Sequence, residues 1–228
     1  MPTRNHKSRR LARAFAWAAL AAVTALTAMP AHAHPVTFPG NLMTMIEADR
    51  SWTDFNAWYT FAPSHALGGG YSGFRNDDIN RVRRIPNLHY NYRVARWNLP
   101  DAQANIYLQQ GIGSASGADF SGRRWTYMPG AQADYETRKV FVKYAWHGYK
   151  SNTFTHNFHN AQAGAAFVVG DYEENSHWAI LDWRKTTNLG TRDEWTPTYR
   201  LINKDVFFEF GLVNGRTSNP RITLMLNF

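Results

Sequence analysis

The sequence predicts an all-β fold, a transmembrane antiparallel up-and-down β-barrel of about twelve strands. Three observations support this fold class: short segments in which apolar and polar residues alternate, turn residues between those segments, and nine tryptophans among 228 residues. Alternation with a period of two is the pattern of a strand with one apolar and one polar face. Aromatic side chains near the ends of such strands are typical of the two girdles of a membrane barrel.

Residues 1–33 have the pattern of a secretory signal peptide. Basic residues come first, an apolar run extends from Ala14 to Met29, and Ala31-His32-Ala33 supplies small residues before an expected cleavage after Ala33. The alternative, a membrane anchor, is disfavoured because a spanning helix needs about 20 apolar residues. We therefore expect a signal peptide over 1–33 and a single barrel domain over 34–228.

The remainder of the chain contains twelve alternating segments. They cover 42–48, 53–61, 66–74, 88–97, 102–113, 124–135, 139–149, 158–169, 177–186, 195–202, 206–213 and 221–228. In the second segment Phe55, Tyr59 and Phe61 share one face. In the seventh Val140 and Val142 do so, with polar residues opposite. The sixth segment is the weakest, because Pro129-Gly130 interrupts it and proline is poorly tolerated inside a sheet.

The connections between these segments predict the orientation of the barrel. Those after the even-numbered segments are mostly tight, whereas several after the odd-numbered ones are longer and more polar, the longest being 75–87. Short turns on one side and longer loops on the other are typical of an outer-membrane barrel. An even number of strands places both chain ends on the same, periplasmic side.

The polar faces of the segments are predicted to line the lumen. The predicted lumen-lining residues are Glu47, Asp54, Arg93, Asp134, Glu136, Lys143, Asp182, Arg184, Arg200 and Glu209. Two interpretations stay open: these mixed charges pair across a small lumen and hold it shut, or they select solutes in a narrow channel. Twelve strands lie between small filled barrels of about eight and open porins of about sixteen.

Composition excludes several other functions. Five of the 25 basic residues precede Ala33, so that 20 basic and 17 acidic residues remain beyond it. This balance argues against a nucleic-acid partner, which would need a clustered basic face. The absence of cysteine from the sequence excludes disulfides, thiolate metal sites and thiol nucleophiles.

The C-terminal segment carries a resemblance to a known class. Apolar residues at every second place, Ile222, Leu224, Leu226 and the terminal Phe228, resemble the signal that the barrel-assembly machinery reads in Gram-negative outer-membrane β-barrel proteins. The resemblance implies an outer-membrane location, contact with membrane lipid and lipopolysaccharide, and the assembly machinery as a partner. The stretch 34–45 further resembles uncharacterised outer-membrane proteins encoded near heavy-metal efflux systems, which implies a link to metal stress.

Four alternatives to a plain channel are considered. The first is a closed structural envelope protein, and the second is a soluble periplasmic barrel of lipocalin type, with polar residues outside. The third is a lipid-modifying hydrolase, which needs a serine, a histidine and an acid within reach. Neighbouring residues such as Ser176 and His177 cannot supply the pair, because they point to opposite faces of a strand. We therefore expect a protein that is not an enzyme.

The fourth alternative is a metal-binding role at His34. After cleavage, the α-amine and imidazole of His34 could together chelate copper or zinc, with His65 or Glu47 as a conceivable further ligand. Apart from this site we expect no cofactor.

Overall fold

The computed structural model describes residues 34–76, 81–170, 174–188 and 192–228. The predicted signal peptide over 1–33 lies outside the described residues. Within them, no helix is long and apolar enough to cross a membrane. The chain forms one closed barrel of twelve antiparallel strands, in which each strand pairs with its neighbours in sequence and the first strand closes on the last. The predicted fold class and strand number are confirmed.

The strands follow one another with short connections. They are β1 (Leu42–Ala48), β2 (Trp52–Ala62), β3 (His65–Asn76), β4 (Arg81–Asn98), β5 (Ala102–Gly117), β6 (Arg124–Thr137), β7 (Val140–Lys150), β8 (Thr155–Val168), β9 (Ser176–Thr187), β10 (Arg192–Asn203), β11 (Val206–Leu212) and β12 (Pro220–Asn227). We call the end that holds residues 34–41 and Phe228 the base, and the opposite end, with connections 49–51, 118–123 and 151–154, the mouth.

Two local predictions were wrong. Residues 75–87, predicted as the longest loop, are mostly strand, because β3 extends to Asn76 and β4 begins at Arg81. The sequence hides this start because Arg83, whose side chain is only 2% exposed, occupies an inner-face position next to the apolar Ile85. Connections at both ends are two to seven residues long, so the expected difference in loop length is small. β6 also continues through Pro129, which lies opposite Gln110 of β5.

The outer face of the barrel is apolar. Large side chains in the middle of strands, such as Leu88 and Leu181, are about half exposed or more, at 62% and 49%. Exposed aromatic residues lie toward the two ends, with Trp125 and Trp195 near the mouth and Trp97 near the base. A soluble barrel would place its polar face outside, so this exterior is the reverse of the lipocalin-type alternative and matches a lipid-facing belt.

The seam between the first and last strands is fully paired. Met43 lies opposite Asn227 and Ala48 opposite Ile222. Beyond the last strand, the backbone N–H of Phe228 donates to the carbonyl oxygen of Leu42 at 2.8 Å, and the N–H of Leu42 donates to the oxygen of Phe228 at 3.0 Å. The closed ring leaves no free sheet edge, as a barrel in lipid requires.

Apolar side chains fill the two ends of the interior and leave the middle polar. The base cluster packs residues of six strands and the N-terminal segment: Val36, Met43, Trp58, Ala66, Tyr107, Phe207 and Met225. The mouth cluster is mainly aromatic: Phe74, Tyr149, Phe154 and Phe158, together with Ile85 and Ala115. The functional groups of the interior therefore lie between two apolar layers.

Candidate functional site

The barrel encloses a cavity of about 220 Å³ between the base and mouth clusters. Side chains reach it from the inner face of nearly every strand, because alternate residues of each strand point inward. Besides His34 of the N-terminal segment, its charged lining consists of four carboxylates and four cations from the strands. They are Glu47, Asp54, Asp182, Glu209, Lys143, Arg184, Arg200 and Arg221. Seven of these eight are among the predicted lumen-lining residues, and Arg221 is the addition.

Arg221 is the centre of the largest ion-pair network. Its side chain is 5% exposed, and its guanidinium nitrogens lie 2.9 Å from Asp49, 3.1 Å from Asp182 and 3.1 Å from Glu194. These four residues belong to β9, β10, β12 and the connection between β1 and β2. The planar fork of arginine suits several carboxylates at once, so one side chain ties four parts of the wall together.

Arg184 extends this network toward β1. Its guanidinium pairs with Glu47, lies 3.6 Å from Asp49 and stacks 4.9 Å above the Trp52 ring. Asp49, in the connection before β2, is buried, which alone would raise its pKa. The guanidinium groups of Arg184 and Arg221 outweigh burial and hold the pKa of Asp49 below its usual range.

Arg200 forms a separate pair closer to the base. It pairs with Glu209 at 2.8 Å and donates to Gln162 Oε1 at 2.9 Å. Its guanidinium also lies 4.3 Å from the Phe141 ring centre and 4.9 Å from that of Phe207. Stacking and pairing together fix this cation against the wall.

Lys143 and Asp54 differ from the other charged residues of the cavity. In the described parts of the chain, neither forms an ion pair within 4.0 Å. Asp54, 8% exposed, accepts hydrogen bonds only from the neutral Ser72, at 2.7 Å, and Asn56. Both line the cavity, so each charge is directed at whatever the cavity holds.

Apart from Lys143, the wall formed by β4 to β7 is neutral and polar rather than charged. His89 lies 3.2 Å from Asn87 Oδ1, and His147 hydrogen-bonds to Gln109. Gln132 completes this part of the lining. The cavity therefore has a charged side, mainly from β9 to β2, and a side of amides and imidazoles.

The N-terminal segment closes the base of the lumen. Residues 34–38, which we call the base plug, enter the barrel, and Val36 is fully buried in the base cluster. Asn91 donates to the carbonyl oxygen of Pro35 at 3.2 Å, and the backbone N–H of Thr37 donates to Thr60 Oγ1 at 3.2 Å. These bonds anchor the plug to β2 and β4.

His34 ends the plug against two carboxylates. Its imidazole nitrogens lie 3.5 Å from Asp134 and 3.2 Å from Glu136, and its ring stacks on Tyr107 at 6.0 Å. Burial would lower the pKa of His34, but the two carboxylates outweigh it and raise the pKa to about 9. The imidazole is therefore cationic at neutral pH.

The mouth is closed on one side by a buried arginine. Arg83 Nη2 donates to Asp119 at 2.9 Å, and its guanidinium lies between the rings of Phe120 and Phe154, at 5.2 Å and 4.7 Å. Asp119 and Phe120 belong to the connection between β5 and β6. This contact folds the connection inward over the mouth cluster, and Arg83 holds the pKa of Asp119 below its usual range.

The remaining predicted lumen residues lie nearer the base. Asp134 and Glu136 contact the plug through His34, and Arg93 donates to the carbonyl oxygen of Pro63 in the turn before β3. None of these three lines the cavity. Arg221 and Arg83 were not predicted, although Arg221 has the same parity as the inward Thr223 and could have been found.

The C-terminal residues of the predicted assembly signal lie on the outer face. Ile222 and Phe228 are 44% and 54% exposed, whereas Arg221, Thr223 and Asn227, which alternate with the residues of the signal, are buried inside. The prediction of the assembly signal was based on this alternation of apolar and polar residues. Their role in assembly stays a prediction.

The histidines do not form a hydrolase site in the described residues. No serine hydroxyl there hydrogen-bonds to an imidazole. His177 bonds to Tyr199 at 2.6 Å on the outer face, whereas Ser176 accepts from the Gly170 N–H.

His34 has different neighbours from those expected in a metal site. His65 bonds to Tyr90, and Glu47 pairs with Arg184. Among the described residues, no group of three or more His, Asp or Glu side chains is placed to hold a metal ion. Copper or zinc binding at His34 stays a prediction.

Comparisons with known proteins concern the fold alone. No protein-family model matches the sequence, and no curated protein sequence matches it. The KdgM porin, solved alone and with disordered oligogalacturonate, is similar at 13% identity and a TM-score of 0.47, over 82% of this chain and 98% of the porin. OccK11 (OpdR) of Pseudomonas aeruginosa is similar at 10% identity and a TM-score of 0.38, over 89% of this chain and 73% of its own.

Proposed function

We propose that this protein is a non-enzymatic barrel of the Gram-negative outer membrane whose narrow lumen passes small polar solutes. The observation that carries the proposal is a cavity lined by charged and polar side chains inside a barrel whose exterior is apolar. The apolar exterior is compatible with contact with lipid, and the polar lining offers a path to solutes that lipid excludes.

The cavity favours a solute path over a lumen that only stabilises the barrel. Charged side chains are costly to keep in a packed interior, and a purely structural lumen would pair all of them. Here Lys143 and Asp54 line the cavity without an ion-pair partner among the described residues. A cavity of about 220 Å³ suits small solutes and excludes large ones.

A closed structural envelope protein is the second candidate. It is favoured by the base plug and by the aromatic mouth cluster, which narrow the lumen at both ends. Under this alternative, the ion pairs of Arg184, Arg200 and Arg221 would serve only to hold the wall together.

Planar-bilayer recording of the refolded protein, starting at His34, separates the two candidates. A channel gives discrete conductance steps, small because the lumen is narrow. The matched control is the same preparation unfolded by heat, which should give none. A folded, heat-modifiable barrel that stays silent at every voltage would overturn the channel and favour the structural role.

We further propose lipopolysaccharide as the outer-leaflet partner and the barrel-assembly machinery as the route of insertion. Exposed arginines at the mouth, Arg84 and Arg123, have the charge that phosphate groups of such a lipid attract. A link to heavy-metal stress, with copper or zinc at His34, remains a proposal from the sequence. Calorimetric titration of each metal into the protein and into His34→Gln would test it, and equal heats from both would reject it.

A further inference from the structure

The charged groups of the cavity do not all neutralise one another. Of the nine charged groups that line it, His34 contacts Asp134 and Glu136, and six others form three ion pairs: Arg184 with Glu47, Arg221 with Asp182, and Arg200 with Glu209. The two that remain are one cation, Lys143, and one carboxylate, Asp54. Within the described parts of the chain, Lys143 also has no hydrogen-bond acceptor. The ammonium group and the carboxylate are thus left for partners inside the cavity.

These two residues lie on opposite walls. Asp54 is on β2 and Lys143 on β7, which are five strands apart along one arc of the twelve-stranded ring and seven along the other. Asp54 is the third residue from the mouth end of β2, and Lys143 is the fourth from the base end of β7, so the two charges are separated along the barrel axis as well as across it. The cavity between them therefore offers a cation on one side and an anion on the other.

We propose that the cavity binds small zwitterions, solutes that carry one cationic and one anionic group. The solute's anionic group would contact Lys143, and its cationic group would contact Asp54. This inference rests on the proposed function, because solutes must be able to enter the lumen.

A singly charged solute would be bound less well. An anion beside Lys143 would also lie in the field of Glu209 and Asp182. A cation beside Asp54 would lie next to the ion pair of Glu47 and Arg184, because Glu47 is directly opposite Asp54 in the sheet. Each would leave the opposite unpaired group unsatisfied in a confined space, where unmet charge is costly.

The test compares three probes of the same chain length: 5-aminopentanoate, pentanoate and pentylammonium. Binding to the refolded protein in detergent micelles is measured by calorimetry, which does not depend on conduction. We expect 5-aminopentanoate to bind about tenfold more tightly than either singly charged probe, the factor given by one charge-assisted hydrogen bond. Equal affinity for all three, or tighter binding of a singly charged probe, overturns the proposal.

Two substitutions test whether Lys143 and Asp54 cause the preference for 5-aminopentanoate. Lys143→Met and Asp54→Asn should each reduce the affinity for 5-aminopentanoate to that of the singly charged probes. Matched controls are Lys150→Met, at the exposed end of β7, and Asp101→Asn, in an exposed turn at the base. They should bind like the unsubstituted protein. Loss of the preference in the controls as well would contradict the assignment.

Liposome swelling with the same probes separates failure of this inference from failure of the channel. Swelling that is equally fast with all three probes keeps the channel and rejects zwitterion binding. Binding of 5-aminopentanoate in micelles without swelling in any probe rejects the channel and keeps the binding site. We expect 5-aminopentanoate to enter fastest at low concentration.

Discussion

At the scale of single residues, Arg221 forms more ion-pair contacts than any other cation of the lumen wall in the described parts of the chain. Replacing it by methionine leaves Asp49, Asp182 and Glu194 without their shared guanidinium. Breaking a buried ion pair in this way typically costs about 3 kcal/mol of unfolding free energy. Urea unfolding of Arg221→Met in lipid vesicles, followed by tryptophan fluorescence, measures the loss.

The matched control for this substitution is Arg216→Met, in the exposed connection after β11. We expect it to change the unfolding free energy by less than about 0.5 kcal/mol. If both variants lost the same amount, the network around Arg221 would not be stabilising the barrel.

The base plug should respond to pH through His34. Its pKa is about 9 in the folded barrel against 6.5 for a free imidazole. Because the folded-state pKa is raised, the stabilisation of the plug is fully present below about pH 6.5. It is lost as the pH rises through about 9. We expect channel open probability in chelator-containing buffer to be higher at pH 10 than at pH 7.

His34→Gln isolates the contribution of the imidazole. It keeps the α-amine that cleavage after Ala33 would produce, but it removes the titrating ring. We expect this variant to be open at both pH values. A pH response as large as that of the unsubstituted protein would show that other groups control the plug.

Most charged residues of the lumen could be predicted from the sequence, because strand parity alone decides which face a side chain occupies. Parity fixes direction but not depth, so it could not separate Lys143, in the cavity, from Glu136, which contacts the plug at the base. Strand parity also could not reveal which charged side chains form ion pairs. Contacts such as Arg184 with Glu47 join residues 137 positions apart and depend on the closure of the ring.

At the scale of elements, the base plug is the segment whose removal has the clearest expected effect. Without residues 34–38, Val36 and His34 leave the lumen, while the strands that define the barrel keep their full pairing. We expect the truncated protein to refold and to show larger single-channel conductance than the chain that starts at His34.

A peptide provides the control for this deletion. The pentapeptide His-Pro-Val-Thr-Phe, added to the compartment that faces the base, should restore the lower conductance of the truncated protein. A scrambled peptide of the same composition should not. Unchanged conductance after the deletion would mean that the plug does not limit the path.

The strands themselves were predictable wherever the inner face is polar and the outer face apolar, as in β2, β7 and β12. The prediction failed at the start of β4, where buried Arg83 is stabilised by the rings of Phe120 and Phe154. Such a residue does not follow an alternation of polar and apolar residues, since its partners come from the connections after β5 and after β7. The plug was not predicted either, because a segment of five residues outside the sheet carries no periodicity.

At the scale of the whole molecule, the apolar exterior makes a prediction that depends on depth in the membrane. Leu181 lies in the middle of β9, faces outward and is 49% exposed. If lipid surrounds it, Leu181→Arg places a charge near the bilayer midplane and should cost about 2–4 kcal/mol of unfolding free energy. Urea unfolding in vesicles of a short-chain phosphatidylcholine measures this cost.

Comparison with Val140→Arg shows whether lipid or water surrounds the barrel. Val140 is equally exposed, at 45%, but it is the first residue of β7 and lies at the base rim. A charge there can reach water, so the cost should fall to about 0–1 kcal/mol. A barrel surrounded by water would tolerate both substitutions alike, because surface changes of this kind typically stay within about 0.5 kcal/mol. Equal, small losses would therefore reject the membrane location, and with it the proposed channel.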